Sequence, residues 1–197
     1  FFSNDNLKLD LDFEPNSEPF TADNVAAYIR GAEFPNEYII LTAHLDHVGI
    51  QNGKIYNGAD DDGTGTIGIL EIAEAFAIAE KEGLRPKRSI IFLHVTAEER
   101  GLLGSQYYVD YDPIVPLDQT LVCLNIDMIG RTDPNRGIRN TNYIYIIGSD
   151  ILSNDLHEVN KKANEDYVNL ELDYRYNDPT YPVFESGRTI ENQYYYR

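Results

Sequence analysis

Short apolar runs separated by polar or amphipathic stretches recur along the chain. Three runs rich in β-branched residues have the length of buried strands, and they lie at 37–43 (EYIILTA), 88–97 (RSIIFLHVTA) and 119–127 (QTLVCLNID). A fourth run at 142–148 (NYIYIIG) predicts a further strand. Because helical patterns lie between these runs, the alternation predicts an α/β fold, a sheet with helices on its faces.

One long helix is predicted between Gly65 and Glu82, where apolar residues recur at helical spacing. The apolar positions are Ile69, Ile72, Ala73, Phe76 and Ala79. Gly83 and Pro86 follow and end the pattern.

Shorter elements complete the prediction. Helical stretches are expected at 101–111 and 153–165, and the Asn-Gly pair within 51–54 predicts a turn. From Tyr174 onward the chain has no clean period and carries two prolines, so it is expected to be loop.

Composition narrows the classes of protein. The 197 residues are 42% hydrophobic, enough for one sizeable core, so a single α/β domain over 1–197 is expected. Sixteen Lys and Arg against 33 Asp and Glu give a formal charge of −17. This balance argues against nucleic acid or an anionic membrane as a partner and favours cations or basic substrates. No apolar run is long enough to span a bilayer, and the first residues are not expected to form a signal sequence. The single cysteine, Cys123, is expected to pack inside a strand.

Acidic and histidine side chains cluster where the predicted strands end. The segment 44–47 (HLDH) follows the first strand, 60–62 (DDD) precedes the long helix, 98–99 (EE) follows the second strand, and Asp127 ends the third. In an open α/β sheet, binding sites form outside the carboxyl ends of the strands. These four clusters are therefore expected to face one another.

Each cluster has an ordinary structural explanation when taken alone. A histidine after a strand is usually a hydrogen-bonded loop residue, and acidic residues before a helix usually cap it. Together, however, the clusters gather one imidazole with several carboxylates, which would raise the pKa values of the carboxylates and cost stability without a counter-charge. The arrangement favours one or two divalent cations.

Four motifs carry a resemblance to a known family: TAHLDHVG, NGADDDGTGTIGILEIAEAF, FLHVTAEERGLLGS and LNIDMIGR. In this order and at these separations they resemble the zinc-dependent aminopeptidases with two co-catalytic zinc ions, over roughly 24–197. That family includes secreted bacterial leucine aminopeptidases and, more distantly, glutaminyl cyclases. The resemblance implies a mixed, mostly parallel sheet flanked by helices, of the phosphorylase/hydrolase-like kind.

The resemblance also implies a ligand set for Zn²⁺. His44 and Asp127 are assigned to one ion, Glu99 to the other, and Asp61 bridges both; imidazole and carboxylate are ligands that suit zinc. The peptide bond after Asp61 is expected to be cis, as it often is in the family.

Two further carboxylates receive roles from the same resemblance. Glu98 matches the general base that takes a proton from water, and Asp46 matches the carboxylate that orients or polarises the His44 site. Asp60 and Asp62 are expected to be structural. The remaining histidines are also interpreted as structural; they are His47, His94 and His157.

The chain departs from the family pattern at its end. Family members carry a second histidine ligand late in the sequence, typically in a Ser-Asp-His triplet, but this chain closes with QYYYR. The ion held by Asp61 and Glu99 would then have two protein ligands, which is few for zinc. The chain is therefore expected to be truncated at both ends and to hold one tightly bound ion or fewer by itself.

The predicted function is hydrolytic release of amino-terminal residues from peptide or protein substrates. A bacterial member of the family would be extracellular or periplasmic. The alternatives are a truncated, non-catalytic metal-binding or interaction domain, and a carboxypeptidase, dipeptidase or glutaminyl cyclase on the same scaffold. The sequence leaves side-chain preference and oligomeric state open.

Overall fold

A computed structural model describes residues 21–136 and 141–178. The strands are β1 (Val25–Ile29), β2 (Phe34–His44), β3 (Gly49–Gln51), β4 (Lys54–Tyr56), β5 (Arg88–Val95), β6 (Thr120–Asn125), β7 (Tyr143–Tyr145) and β8 (Glu171–Asp173). The helices are α1 (Gly63–Lys81), α2 (Leu103–Asp110), α3 (Ser149–Leu152) and α4 (Asn154–Ala163).

The main sheet has four strands in the order β1-β5-β2-β6. Strand β2 is parallel to both of its neighbours, β5 and β6, whereas β1 runs antiparallel to β5 at the edge. In the register, His44 pairs with Val95 and Thr42 pairs with Asn125, so the three parallel strands end at the same edge of the sheet. The predicted mixed, mostly parallel sheet is confirmed, and its carboxyl edge brings together the loops that carry the acidic clusters.

Alternating side chains of the central strands pack on the two faces of this sheet. On one face, Ile90 and Phe92 of β5 form a core with Ile69 of α1, against which Phe76 packs. On the other face, Ile91 and Leu93 pack with Tyr108 of α2. Because both faces are covered, β5 is buried along almost its whole length, as its continuous apolar run predicts.

Two predicted elements differ from the structure, and some strands were not predicted. The run at 142–148 contributes only β7, which pairs in parallel with β8 in a separate two-stranded sheet rather than joining the main sheet. Strands β1 and β8 are absent from the sequence prediction. The helix predicted at 153–165 is α4 followed by one π-helical turn at Asn164–Val168.

Other predictions agree with the structure. The Asn-Gly turn joins β3 to β4 in a hairpin, and Cys123 lies in β6 packed against the core. The tail predicted as loop begins with a 3₁₀ turn at Arg175–Asn177, and its part from 179 onward lies outside the described residues. Over 21–136 and 141–178, no helix combines the length and the apolar character that crossing a membrane requires.

Candidate metal centre and active site

The loops at the carboxyl edge are tied together by one buried carboxylate, that of Asp62. It caps α1 by accepting a hydrogen bond from the Gly65 N–H at 2.9 Å. It also accepts from the His44 N–H at the end of β2 (3.2 Å) and from the Met128 N–H after β6 (3.3 Å). Asp62 therefore fixes the helix and two strand ends relative to one another.

His44 and two carboxylates form the first candidate ligand group. Its Nε2 lies 3.1 Å from Asp61 Oδ1 and 3.8 Å from Asp127 Oδ2. Its Nδ1 lies 2.9 Å from the carbonyl oxygen of Asp46. Because a carbonyl only accepts, Nδ1 carries the proton, and in the neutral imidazole the lone pair of Nε2 faces the two carboxylates. This is the tautomer that a histidine binding a metal through Nε2 needs.

The electrostatics of this group favour the binding of a cation. Burial, reinforced by the neighbouring Asp62 and Asp61 carboxylates, raises the pKa of Asp127 to about 7 despite the opposing effect of His44. Burial alone would lower the pKa of His44, but the charges of Asp127, Glu98 and Asp62 raise it above its ordinary value. Crowded carboxylates around one imidazole are the donor set that a divalent cation would satisfy, so the residues fit a metal ion.

A second candidate ligand group adjoins the first and shares Asp61 with it. The Nδ1 atom of His47 lies 2.8 Å from Glu99 Oε1 and 3.8 Å from Asp61 Oδ1. Sequence reasoning gave His47 a structural role, and the structure differs: the imidazole faces two of the predicted ligands. The sequence position of His47 relative to His44 did not indicate this, because the path of the loop after β2 determines where the ring points.

Asp46 holds the turn that carries Glu98 and Glu99. Its two carboxylate oxygens accept hydrogen bonds from the Glu98 N–H (3.0 Å) and the Glu99 N–H (3.2 Å) at the start of a 3₁₀ turn, Glu98–Arg100. The expected contact with His44 comes from the main-chain carbonyl of Asp46, while its carboxylate lies 3.8 Å from His44 Nδ1. Asp46 thus touches both candidate groups, through different atoms.

The outer residues of the Asp triplet bind other loops. Asp60 accepts from the Gly130 N–H (2.8 Å) and from Arg131 Nε (2.9 Å), which draws the segment after β6 toward the triplet. Burial alone would raise the pKa of Asp60, but its contacts with Arg131 and Gly130 hold it below the usual range. The Asp61–Asp62 peptide bond is cis, as the resemblance implies.

The other two histidines lie in neither ligand group. His94, in β5, is buried with Nε2 3.0 Å from the Thr66 carbonyl oxygen, and His157, in α4, contacts Ser149 Oγ at 3.1 Å. The structural roles of both histidines stay predictions.

A mixed sheet with imidazole and carboxylate groups gathered at its carboxyl edge is typical of metal-dependent hydrolases. The model of peptidase family M28 matches residues 24–181, and the chain belongs to that family. The family relationship inferred from the four motifs is thereby confirmed.

Individual relatives agree with this assignment. The chain is 37% identical over 123 residues to a probable leucine aminopeptidase 2 of Aspergillus oryzae, covering 62% of this chain and 23% of the relative. It is 31% identical over 121 residues to a probable glutamate carboxypeptidase of Arabidopsis thaliana, covering 61% of this chain and 16% of the relative. The chain thus spans about a quarter or less of the length of these two relatives.

Among solved structures, the chain is similar to a zinc aminopeptidase from Bacillus subtilis. The TM-score is 0.59 at 27% sequence identity, and the match covers 76% of this chain and 33% of that one.

Proposed function

We propose that this chain carries the metal-binding half of the active site of a zinc-dependent peptidase that releases amino-terminal residues. The observation that carries the proposal is the pair of imidazole–carboxylate groups that share Asp61. Their place at the carboxyl edge of the sheet, the membership of family M28 and the likeness to a zinc aminopeptidase support it.

The proposed zinc ligands are the residues of the first candidate group together with those that the resemblance implies. His44, Asp61 and Asp127 would hold one zinc ion, and Asp61 and Glu99 would contribute to the second. When bound, zinc supplies a Lewis acid for the scissile carbonyl and lowers the pKa of water. Asp62 and Asp46 hold the ligand loops in place through backbone N–H groups.

Glu98 is the proposed general base. Its backbone is held by Asp46, directly beside Glu99, and its charge acts on both His44 and Asp127. A carboxylate at this position would accept a proton from water and donate it to the leaving amine. A cleft of about 490 Å³, lined in part by Asp61, Met128 and Arg131, adjoins these groups and offers room for a peptide.

Replacing Glu98 by Gln in the whole protein tests this role. The amide keeps the shape of the side chain but cannot take up a proton, so we expect peptide hydrolysis to fall by about 10²–10⁴-fold while the zinc content stays unchanged. Glu74→Gln, on the exposed side of α1, is the matched control and should leave both unchanged. Full turnover in Glu98→Gln would remove Glu98 from the mechanism.

A carboxypeptidase is the second candidate. The similarity to a probable glutamate carboxypeptidase favours it, and so does the exposed guanidinium of Arg131, which Asp60 positions at the cleft where a substrate carboxylate could bind. Peptides blocked at the amino terminus distinguish the two: a carboxypeptidase cleaves them, and an aminopeptidase does not. A dipeptidase would cleave only unblocked dipeptides. The extracellular or periplasmic location stays a prediction from the resemblance.

A further inference from the structure

We infer that His47 is a protein ligand of the second metal ion, which it binds through Nδ1 together with Asp61 and Glu99. This inference rests on the proposed function, because it concerns the same metal centre. It gives the second ion three protein ligands from this chain, where the motifs alone supplied two.

The distances in the second group resemble those in the first. The His47 Nδ1 atom lies 2.8 Å from Glu99 Oε1 and 3.8 Å from Asp61 Oδ1. For His44 Nε2, the distances to the Asp61 and Asp127 oxygens are 3.1 and 3.8 Å. Two atoms that each bind one zinc ion at about 2.1 Å in tetrahedral geometry lie about 3.4 Å apart. In each group, one distance is shorter and the other longer than this value, so both groups fit ligands around a common ion.

The His47 Nδ1 atom has no hydrogen-bond partner among the described residues, although it is shielded from solvent. The Glu99 oxygen is near enough but is not aligned as an acceptor for an N–H at this atom. An unpaired buried polar atom costs about 1–3 kcal/mol, so such an atom in a native fold calls for an explanation. A cation between the ring nitrogen and the two carboxylates would satisfy all three at once.

The loop at Gly58 packs against both His47 and Asp61. Gly58 has φ +65°, and a Cβ there would lie 2.7 Å from His47 Cβ and 2.8 Å from the Asp61 carbonyl oxygen. The loop that leads into the Asp triplet thus packs directly against the His47 side chain. Gly58 therefore lies close to both His47 and Asp61, and a side chain at this position would displace one of them.

Zinc binding to the 197-residue chain tests the inference by stoichiometry and affinity, without an activity assay. Equilibrium dialysis would compare the wild type with His47→Ala, His44→Ala and Asp61→Ala. We expect two ions in the wild type, a loss of at least tenfold in affinity for one ion in each histidine variant, and no tightly bound ion in Asp61→Ala. His157→Ala is the matched control, from a histidine outside both groups, and should bind like the wild type.

A second measurement is made on the wild-type chain, and variants serve only to assign its resonances. With ¹⁵N-labelled imidazoles, zinc should shift the Nδ1 resonance of His47 and the Nε2 resonance of His44, while His157 should not respond. The chain has four histidines, so the resonances can be assigned from single variants. This readout stands even where His47→Ala fails to fold, which circular dichroism would reveal.

The outcomes separate the inference from the proposed function. Two ions bound equally well by wild type and His47→Ala would overturn the inference and leave the metal centre standing. A single bound ion that is lost only in His44→Ala would also overturn the inference and leave the metal centre standing. A single bound ion that is lost in both histidine variants would overturn the assignment of His44 and His47 to separate ions. No zinc bound by the wild type would overturn both proposals.

Discussion

Asp62 is the residue on which the arrangement of the site depends most. Its carboxylate is 1% exposed and receives three backbone N–H groups, from Gly65, His44 and Met128. Burial nevertheless raises its pKa, because the hydrogen bonds and the nearby His44 offset desolvation only in part. A charged group in such a place holds the ends of three elements together, which an apolar residue could not do.

Removal of this carboxylate should therefore destabilise the fold more than the loss of one helix cap. We expect Asp62→Ala, without metal, to lower the free energy of unfolding by about 3 kcal/mol, since a cap is lost and two further N–H groups are left without an acceptor. Urea unfolding measures this. Asp112→Ala, at an exposed position, is the control and should change stability by less than about 0.5 kcal/mol. Equal effects in the two variants would show that Asp62 does not join these elements.

Single residues also show where sequence reasoning stops. The four motifs brought His44, Asp61, Glu99 and Asp127 to attention, and the structure places them within two adjoining groups. They did not indicate that the ring of His47 turns toward Glu99, since this depends on how the loop after β2 packs on Gly58. Nor did they indicate that the Asp46 carboxylate binds the backbone of the Glu98 turn, because contacts to backbone N–H groups leave no residue pattern.

Among the elements, the strands within the three longest apolar runs were predicted well and the shorter strands poorly. The runs at 37–43 and 88–97 lie in strands β2 and β5, whose apolar side chains are buried on both faces. Strand β1 (VAAYI) is apolar, but it is short, lies at the edge of the sheet and is exposed at four of its five positions, and the sequence prediction did not assign it. Strand β7 has only three residues, and its pattern carries no information about its partner, which is β8 rather than the main sheet.

In the loop before α1, Gly58 has a backbone conformation that only glycine adopts without strain. Gly58 and Gly53 both have positive φ, of +65° and +74°, but a Cβ at Gly53 would meet no atom within 4 Å. Both Gly→Ala changes should cost about 1–2 kcal/mol for the left-handed backbone. We expect Gly58→Ala alone to add a steric clash with His47 and to weaken zinc binding.

Gly53→Ala is thus the matched control for the loop, since it shares the backbone strain and lacks the clash. Urea unfolding and zinc titration of both variants check the prediction. The same loss of stability with unchanged zinc affinity in Gly58→Ala would show that the loop does not position His47.

At the scale of the molecule, a cluster of acidic residues lies where the parallel strands end. The formal charge is −17, and seven acidic residues lie in the loops at the carboxyl edge: Asp46, Asp60, Asp61, Asp62, Glu98, Glu99 and Asp127. Among the described residues at this edge, Arg131 forms an ion pair with Asp60, which lies outside both ligand groups. The fold therefore gathers carboxylates without supplying enough positive charge of its own, and their repulsion adds to burial in raising the pKa of Asp127 to about 7.

Zinc should accordingly stabilise the whole fold, since it binds the folded arrangement of loops and relieves the repulsion among them. At a free zinc concentration 100 times the dissociation constant, one site contributes about 2.7 kcal/mol. For a chain of this size that corresponds to a rise in melting temperature of roughly 5–10 °C. Differential scanning calorimetry with zinc and with a chelator measures the shift. Asp61→Ala, which removes the residue shared by both groups, should lose most of it; an equal shift in that variant would mean that zinc stabilises the chain from another site.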